Sequence, residues 1–471
     1  MKNSVDFIND QEIRDALALS SEKAKDRELV ISIIEKAKTA VGLDHRETAI
    51  LLSVEDPALI QMMKDAAGAI KEKIYGKRIV IFAPLYLSNY CVNNCSYCGY
   101  KHCNENMCRK KLTMDEIKDE VRVLQGLGHK RIALEVGEDP VNCPIEYVLE
   151  AMENIYSLHF DNGSIRRANV NIAATTVEDY KKLKHAGIGT YILFQETYHQ
   201  PTYETVHKSG PKHNYAYHTT AMDRAMEGGI DDVGFGVLYG LYDYKYDTVA
   251  MMMHKEHLEN VFGVGPHTIS VPRLKAAEGM SLTDYPYMVT DADFIKIVTI
   301  IRLSVPYTGI ILSTREGGDF REKVIAVGVS QISAGSCTGV GGYVEEYEAV
   351  EKSKLDTKQF EVEDHRSPLE ILKNLCEDGY IPSYCTACYR QGRTGDRFMR
   401  LAKSGQINNV CLPNALMTFK EYLIDYADEE LRKTGTILIE KSLADIKSEQ
   451  VREMTREQLD KIENGTRDLY L

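Results

Sequence analysis

Tryptophan is absent from this 471-residue chain, although tyrosine reaches 28; physical chemistry offers no account of that bias. Long apolar runs are absent as well. The longest, such as residues 80–84, fall far short of the roughly 20 residues needed to cross a bilayer. The first 15 residues mix charge with apolar positions and lack the apolar stretch of a secretory signal, so the expectation is a soluble, cytoplasmic protein. A surplus of basic residues is also missing, since the net charge is −13 and the pI near 5.6. Nucleic-acid binding needs clustered lysine and arginine to meet phosphates, and that class is set aside together with membrane proteins. No internal repeat or low-complexity tract stands out.

What is present is enough apolar sequence, 44% against 27% charged, for a large buried core. There are eleven cysteines, too many for chance in a reducing compartment and not the signature of a disulfide framework there. Six fall into two groups: Cys91, Cys95 and Cys98, then Cys385, Cys388 and Cys411. Grouped thiols point to metal. Cys103, Cys108, Cys143 and Cys376 read as structural thiols.

The first 75 residues read as helical. Apolar residues recur at helical spacing over 28–40, Asp44 with Glu47 forms a capping box, and Asp56 before Pro57 starts a further helix. From residue 78 short apolar strands alternate with amphipathic helices: 78–87, 131–138, 168–174, 190–197, 232–239, 267–273, 309–315 and 331–336. The helix over 113–127 opens on the capping pair Thr113 and Glu116. Such alternation implies parallel pairing with right-handed crossovers. Eight units over residues 76–345 fit an α/β fold, a (β/α)8 TIM barrel, with an open doubly wound sheet as the alternative. The region 346–471 is a mostly helical C-terminal domain, in which the charged segment 345–364 should wrap the surface. His254 and His257, three apart on a helix, read as a solvated face.

Cys91, Cys95 and Cys98 follow the first strand, at the C-terminal mouth where such barrels keep their active sites. Three thiolates can hold three irons of a [4Fe–4S] cubane and leave the fourth open. A zinc knuckle is the alternative, but zinc sites usually take four protein ligands in paired spacing. The three-then-two spacing, with Tyr97 just before the last cysteine, resembles the radical S-adenosylmethionine superfamily. That resemblance implies a (β/α)8 barrel of the radical SAM type whose open iron binds S-adenosylmethionine. The segment 134–138, Leu-Glu-Val-Gly-Glu, resembles the superfamily's glycine–glutamate element. Together the likeness implies a cofactor site drawing on Tyr97, Glu135, Gly137, Glu138, Glu196 and Arg273; the glutamates could equally be ordinary strand-end carboxylates.

The second group, Cys385 and Cys388 followed after 22 residues by Cys411, is ambiguous from spacing alone, because His365 or Cys376 could complete a zinc site. With the barrel segments 263–273, 311–316 and 331–336, it resembles the tyrosine lyases of [FeFe]-hydrogenase maturation. The barrel is also similar to the tyrosine lyase of thiamine synthesis, which lacks the second group. The hydrogenase-maturation likeness implies cleavage of the Cα–Cβ bond of L-tyrosine to p-cresol and dehydroglycine, then carbon monoxide and cyanide assembled on iron for the hydrogenase H-cluster. It implies a second [4Fe–4S] cluster on the C-terminal cysteines with a labile fifth iron held by His267. Implied partners are L-tyrosine, an electron donor such as a ferredoxin or flavodoxin, and other hydrogenase maturation proteins.

His267 starts a strand whereas Cys91 follows the end of one. Strand rise then separates the two metal sites by about 20 Å and puts them at opposite barrel ends, with a tunnel between. A histidine satisfied at a strand start is the bland alternative. The tyrosine carboxylate calls for an arginine. Arg315 ends the seventh strand and Arg321 follows on the next helix; the resemblance favours Arg321. Ser336 and Cys337 end the eighth strand and complete the pocket. Two competing readings are a lyase that stops at dehydroglycine and a non-enzymatic two-cluster iron–sulfur carrier.

Overall fold

The computed structural model describes residues 5–277, 279–348 and 358–471. Its N-terminal helices start where the sequence caps them. The Asp44 side chain accepts from the Glu47 amide while Glu47 reaches back to the Asp44 amide, and Asp56 caps the helix Pro57–Tyr75 with Pro57 in its first turn. That helix buries Leu59, Met63, Ala66, Ile70 and Ile74 and packs on the helix Asp291–Ser304. The N-terminal region therefore clads the barrel.

Nine strands occur among the described residues: β1 (Arg78–Ser88), β2 (Arg131–Val136), β3 (Arg167–Asn171), β4 (Tyr191–Ile192), β5 (Val233–Gly236), β6 (Thr268–Ser270), β7 (Gly309–Leu312), β8 (Gln331–Ser333) and β9 (Ile381–Ser383). β1 to β8 pair in chain order, all parallel, and β8 returns to β1 through Val80 with Gln331 and Phe82 with Ser333. The sheet is thus closed, as a (β/α)8 barrel, and the open-sheet alternative falls. The regular ladders are shorter than the apolar runs. β4 is the extreme case, with two residues where eight were expected. Leu193 and Gln195 still donate to Gly234 and Gly236, but Glu196 has φ of +69°. That left-handed residue ends the regular extension at the barrel mouth.

β9 was not foreseen, because three residues centred on Pro382 carry almost no strand signal. It pairs with Arg78, Ile79 and Val80 of β1 on the edge away from β8, directly below β2. A strand of the C-terminal region is thereby built into the barrel floor.

Two expectations are corrected. Of the segment 345–364, residues 349–357 lie outside the described residues, but Gln359 and Phe360 line the mouth cavity and Asp364 is buried. At these points the stretch turns inward to meet arginines, while residues 346–348, 358, 361 and 363 stay exposed on the surface as expected. His254 is buried, with its Nδ1 2.8 Å from the Tyr198 hydroxyl, while His257 pairs with Asp223 at 2.7 Å. Helical spacing alone could not tell this packed face from a wet one.

The C-terminal helices are held against the barrel by charge as well as by packing. Glu421, on the helix Asn408–Asp425, is fully buried and accepts from Arg166 Nη2 at 2.7 Å. Lys130 Nζ stands 3.5 Å from the same carboxylate. Glu421→Ala leaves Lys130 without its carboxylate and Arg166 with Asp468 alone, at 2.9 Å, and removing one partner of a buried pair costs about 3–5 kcal/mol. The expected outcome is a melting temperature several degrees lower in thermal denaturation; an unchanged value would show that the network does not anchor the domain.

Candidate active site and second cysteine centre

The first cysteine loop leaves β1 at Ser88 and is stapled at several points. Asn89 is buried, donates through Nδ2 to the Cys108 carbonyl at 2.7 Å and accepts from the Lys110 amide at 2.7 Å. Val92 N donates to Glu138 O at 2.8 Å, Asn94 N to Ser209 O at 3.0 Å and Ser96 N to Val206 O at 2.8 Å. The loop is thereby fastened both to the end of β2 and to the segment after β4. Asn93 is a hub: its Oδ1 accepts from Lys212 N at 2.9 Å, and its Nδ2 donates to Glu138. Tyr97 points its hydroxyl at His207 Nε2, 2.8 Å away.

Gly137 is required by contact. A Cβ there would sit 2.3 Å from the Tyr90 carbonyl oxygen and 3.3 Å from Cys91 Cβ, so a side chain would push the cysteine loop off the strand end.

One cavity at the mouth gathers Cys91, Cys95, Cys98, Tyr97, Glu135, Gly137, Glu138, Glu196, Arg315 and Ser336. Burial pushes all three thiols up, Cys98 to about 11, so as bare groups they hold their protons, and binding iron must displace them. Burial also pushes Glu135 up to about 8, although Asn171 donates to it at 2.7 Å. Glu196 is ion-paired with Lys212 at 2.7 Å. Arg315 lies in the same cavity with its guanidinium 3.3 Å from the Phe360 ring centroid, and it has no carboxylate partner among the described residues. The buried Ser336 hydroxyl has no hydrogen-bond partner either.

Two expected site residues are elsewhere. Arg321 is buried against Asp364 and donates to the Ser333 carbonyl at 2.5 Å; it does not line the cavity. Its guanidinium is already neutralised, which corrects the preference for Arg321 over Arg315 as the free cation. Arg273 is paired with Glu316 and, at 2.8 Å, with Asp291, away from the cavity lining, so its placement beside the cofactor is corrected as well. Lys212, Asn93, Gln359 and Phe360 line the cavity without having been singled out. Asn93 lies within the cysteine motif, where only the cysteines carry the spacing, and Lys212, Gln359 and Phe360 lie in segments with no spacing signal of their own.

The second group lies at the other end of β1. β9 delivers Cys385 to the floor, where Arg131 Nη1 donates to the Cys385 carbonyl at 3.1 Å. Cys388 follows on the short helix Ala387–Arg390, and Cys411 stands in the first turn of the helix Asn408–Asp425. Cys411 is held below the usual thiol value, first by its hydrogen bond with Cys388 and then by Arg78. His267 begins β6 at this same end. Its Nδ1 is 3.4 Å from Asp232 and lacks a hydrogen bond, and its ring is 4.5 Å from that of Phe398. It shares Arg78 and Arg131 as electrostatic neighbours with Cys385. Among the described residues no three His, Cys, Asp or Glu side chains close on one point as around a single metal ion. Three cysteines at each end are the donor chemistry of a [4Fe–4S] cluster with one iron left to another ligand. Of the expected tunnel, the mouth cavity reaches down to Phe82, Ala133 and Ser333.

Comparison with known proteins agrees with this geometry. The Radical SAM superfamily model matches residues 85–255, and the Biotin and Thiamin Synthesis associated domain model matches 270–381. A crystal structure of HydG, described as a maturase of the [FeFe]-hydrogenase, is 64% identical with a TM-score of 0.95, over 99% of this chain and 100% of that one. The maturase HydG from Carboxydothermus hydrogenoformans is 39% identical with a TM-score of 0.81, over 95% and 99%. The 2-iminoacetate synthase of Escherichia coli is 28% identical over 350 residues, 74% of this chain and 89% of that protein. The radical SAM domain implies a [4Fe–4S] cluster and S-adenosylmethionine, for which Cys91, Cys95 and Cys98 are the fitting donors.

Gly137→Ala is expected to lower the iron bound per chain and to abolish formation of 5′-deoxyadenosine, while circular dichroism still reports a folded barrel. Iron analysis and chromatography of the S-adenosylmethionine products check this. Wild-type values for both would remove Gly137 from the loop's geometry.

Proposed function

The chain belongs to the HydG family of [FeFe]-hydrogenase maturases, and we propose that it is a lyase of L-tyrosine that yields p-cresol and dehydroglycine. The two-carbon fragment is then converted to carbon monoxide and cyanide; Cys385, Cys388 and Cys411 would hold a second [4Fe–4S] cluster, and His267 an additional labile iron, where these products would collect. When bound at the mouth, the first cluster and S-adenosylmethionine supply a 5′-deoxyadenosyl radical that takes hydrogen from the substrate amine.

The observation that carries the substrate is Arg315. A buried guanidinium facing the same cavity as Cys91, Cys95 and Cys98, with no carboxylate of its own, is matched to an anionic substrate group. Arg315 orients the tyrosine carboxylate, and the Ser336 hydroxyl is free to donate beside it. Glu138, steadied by Asn93, and Gly137 form the wall that takes the amino end of S-adenosylmethionine. Tyr97 and Glu196 with Lys212 close the side facing β4 and β5. Phe360 and Leu274 keep water from the reacting atoms. The electron is drawn from a donor such as a ferredoxin or flavodoxin, and the iron-bound product serves the hydrogenase H-cluster through other maturation proteins.

Anaerobic turnover with dithionite, S-adenosylmethionine and tyrosine tests the reading. The expected products are p-cresol, carbon monoxide and cyanide together. p-Cresol alone would make the chain a 2-iminoacetate-type lyase, and absence of 5′-deoxyadenosine would reduce it to an iron–sulfur carrier. Arg315→Met is expected to lower kcat/KM for tyrosine by about 100-fold, the loss of a charge-assisted bidentate contact. Joint replacement of Cys385 and Cys388 by alanine should spare p-cresol and eliminate carbon monoxide and cyanide.

A further inference from the structure

Gln359 and Phe360, from the C-terminal region, reach the mouth on a backbone that is pinned from two sides. Gly339 and Lys358 form an isolated antiparallel bridge. Gln359 N donates to the Thr338 carbonyl at 3.2 Å, and the Phe360 carbonyl accepts from Thr338 Oγ1 at 2.9 Å. On the other side Gly99, the residue after Cys98, donates its N–H to the Gln359 carbonyl at 3.2 Å. That approach requires glycine: a Cβ on Gly99 would sit 2.9 Å from the carbonyl oxygens of both Lys358 and Gln359. A stretch 261 residues beyond Cys98 is thereby clamped onto the cysteine motif itself.

With the backbone fixed, the direction of the Gln359 side chain is set by Tyr86. This tyrosine is buried on β1 and donates its hydroxyl to Gln359 Oε1 at 3.0 Å. An amide held by its oxygen presents its NH2 elsewhere, and Nε2 donates to Cys98 Sγ at 3.9 Å. Cys91 has a donor of its own in Asn93 Nδ2, 3.8 Å away, but that group also serves Glu138. Hydrogen bonds to a ligand sulfur are among the levers that set the potential of an iron–sulfur cluster. They stabilise the negative charge that a one-electron reduction adds, and so make the reduction easier.

We propose that Gln359 is a positioning residue for the first cluster: its amide, aimed by Tyr86, hydrogen-bonds the Cys98 ligand and raises the cluster's reduction potential. The single electron comes from the reduced donor, and no bond is made or broken at Gln359. The proposal rests on a [4Fe–4S] cluster at Cys91, Cys95 and Cys98, and not on tyrosine as the substrate or on events at the second cysteine group. It gives the C-terminal region a part at the mouth: Phe360 packs on Arg315, and its neighbour Gln359 acts on the cluster.

The test is a redox titration followed by EPR, on full-length, reconstituted protein carrying Cys385→Ala and Cys388→Ala so that the signal is that of the mouth cluster. S-adenosylmethionine is left out, which separates an effect on the cluster from a contact with that cofactor. Gln359→Met keeps the length of the side chain and loses the donor. It is expected to lower the midpoint potential by about 59 mV, a tenfold loss in the one-electron reduction equilibrium. Tyr86→Phe leaves the amide in place but no longer aims it, and should lower the potential by a smaller step. Iron content is measured for each variant. An unchanged midpoint in Gln359→Met overturns the proposal. If that variant binds too little iron to titrate, Tyr86→Phe decides, and an unchanged midpoint there overturns it equally. Absence of any EPR signal sensitive to S-adenosylmethionine in the reduced wild-type chain overturns the cluster at Cys91, Cys95 and Cys98, and this inference with it.

Discussion

The two chemical ends of the molecule depend on how the edges of one strand are shared. β1 runs eleven residues, from Arg78 to Ser88, about 33 Å at the usual rise. One edge is taken by β8. The other is divided, with β2 bonded from Ala83 upward and β9 from Arg78 to Val80. The upper pairing closes the barrel and aims the loop of Cys91, Cys95 and Cys98 into its mouth. The lower pairing draws a segment from nearly three hundred residues later in the chain (Ile381–Ser383) under the floor, and Cys385 follows it by two residues. Neither cysteine group could hold its place without the hydrogen bonds of this strand.

Charge is distributed along the same axis in an uneven way. The chain is strongly acidic overall, and most of its buried cations are answered within the fold. Arg321 has Asp364, Arg166 has Glu421, and Arg302 spends its guanidinium on the carbonyls of Pro306, Thr308 and Gly328. Arg315 is the contrast at the mouth, while Arg78 at the floor has the second cysteine group as its neighbour. In a protein with acid to spare, a carboxylate paired with Arg315 would occupy the place of an incoming anion.

The fold class was legible because eight apolar runs at regular intervals admit few topologies. The first cysteine group was legible because a local spacing encodes a local loop. The capping pairs Asp44–Glu47 and Thr113–Glu116 were legible for the same reason. What could not be read depends on contacts between distant segments. Arg315 and Arg321 are six residues apart with similar surroundings in the sequence, and only Asp364 tells them apart. β9 takes its identity from its partner strand, since Pro382 would argue against a strand in isolation. Lys212 and Asn93 meet although one lies beyond β4 and the other inside the cysteine motif, and nothing in either segment announces the other.

The barrel interior below the mouth cavity is polar at two neighbouring strand pairs. Gly234 and Gly309 lack the Cβ that would meet Thr268 Oγ1 and Gln331 Nε2, each at 2.2 Å, so polar side chains on neighbouring strands occupy room that Val or Ile would fill in an ordinary barrel. The mouth cavity descends to Phe82, four residues above Arg78, a gap of about 13 Å. A sealed apolar plug across that gap would be the more stable core. Keeping glycine, threonine and glutamine there gives up packing in favour of a polar lining.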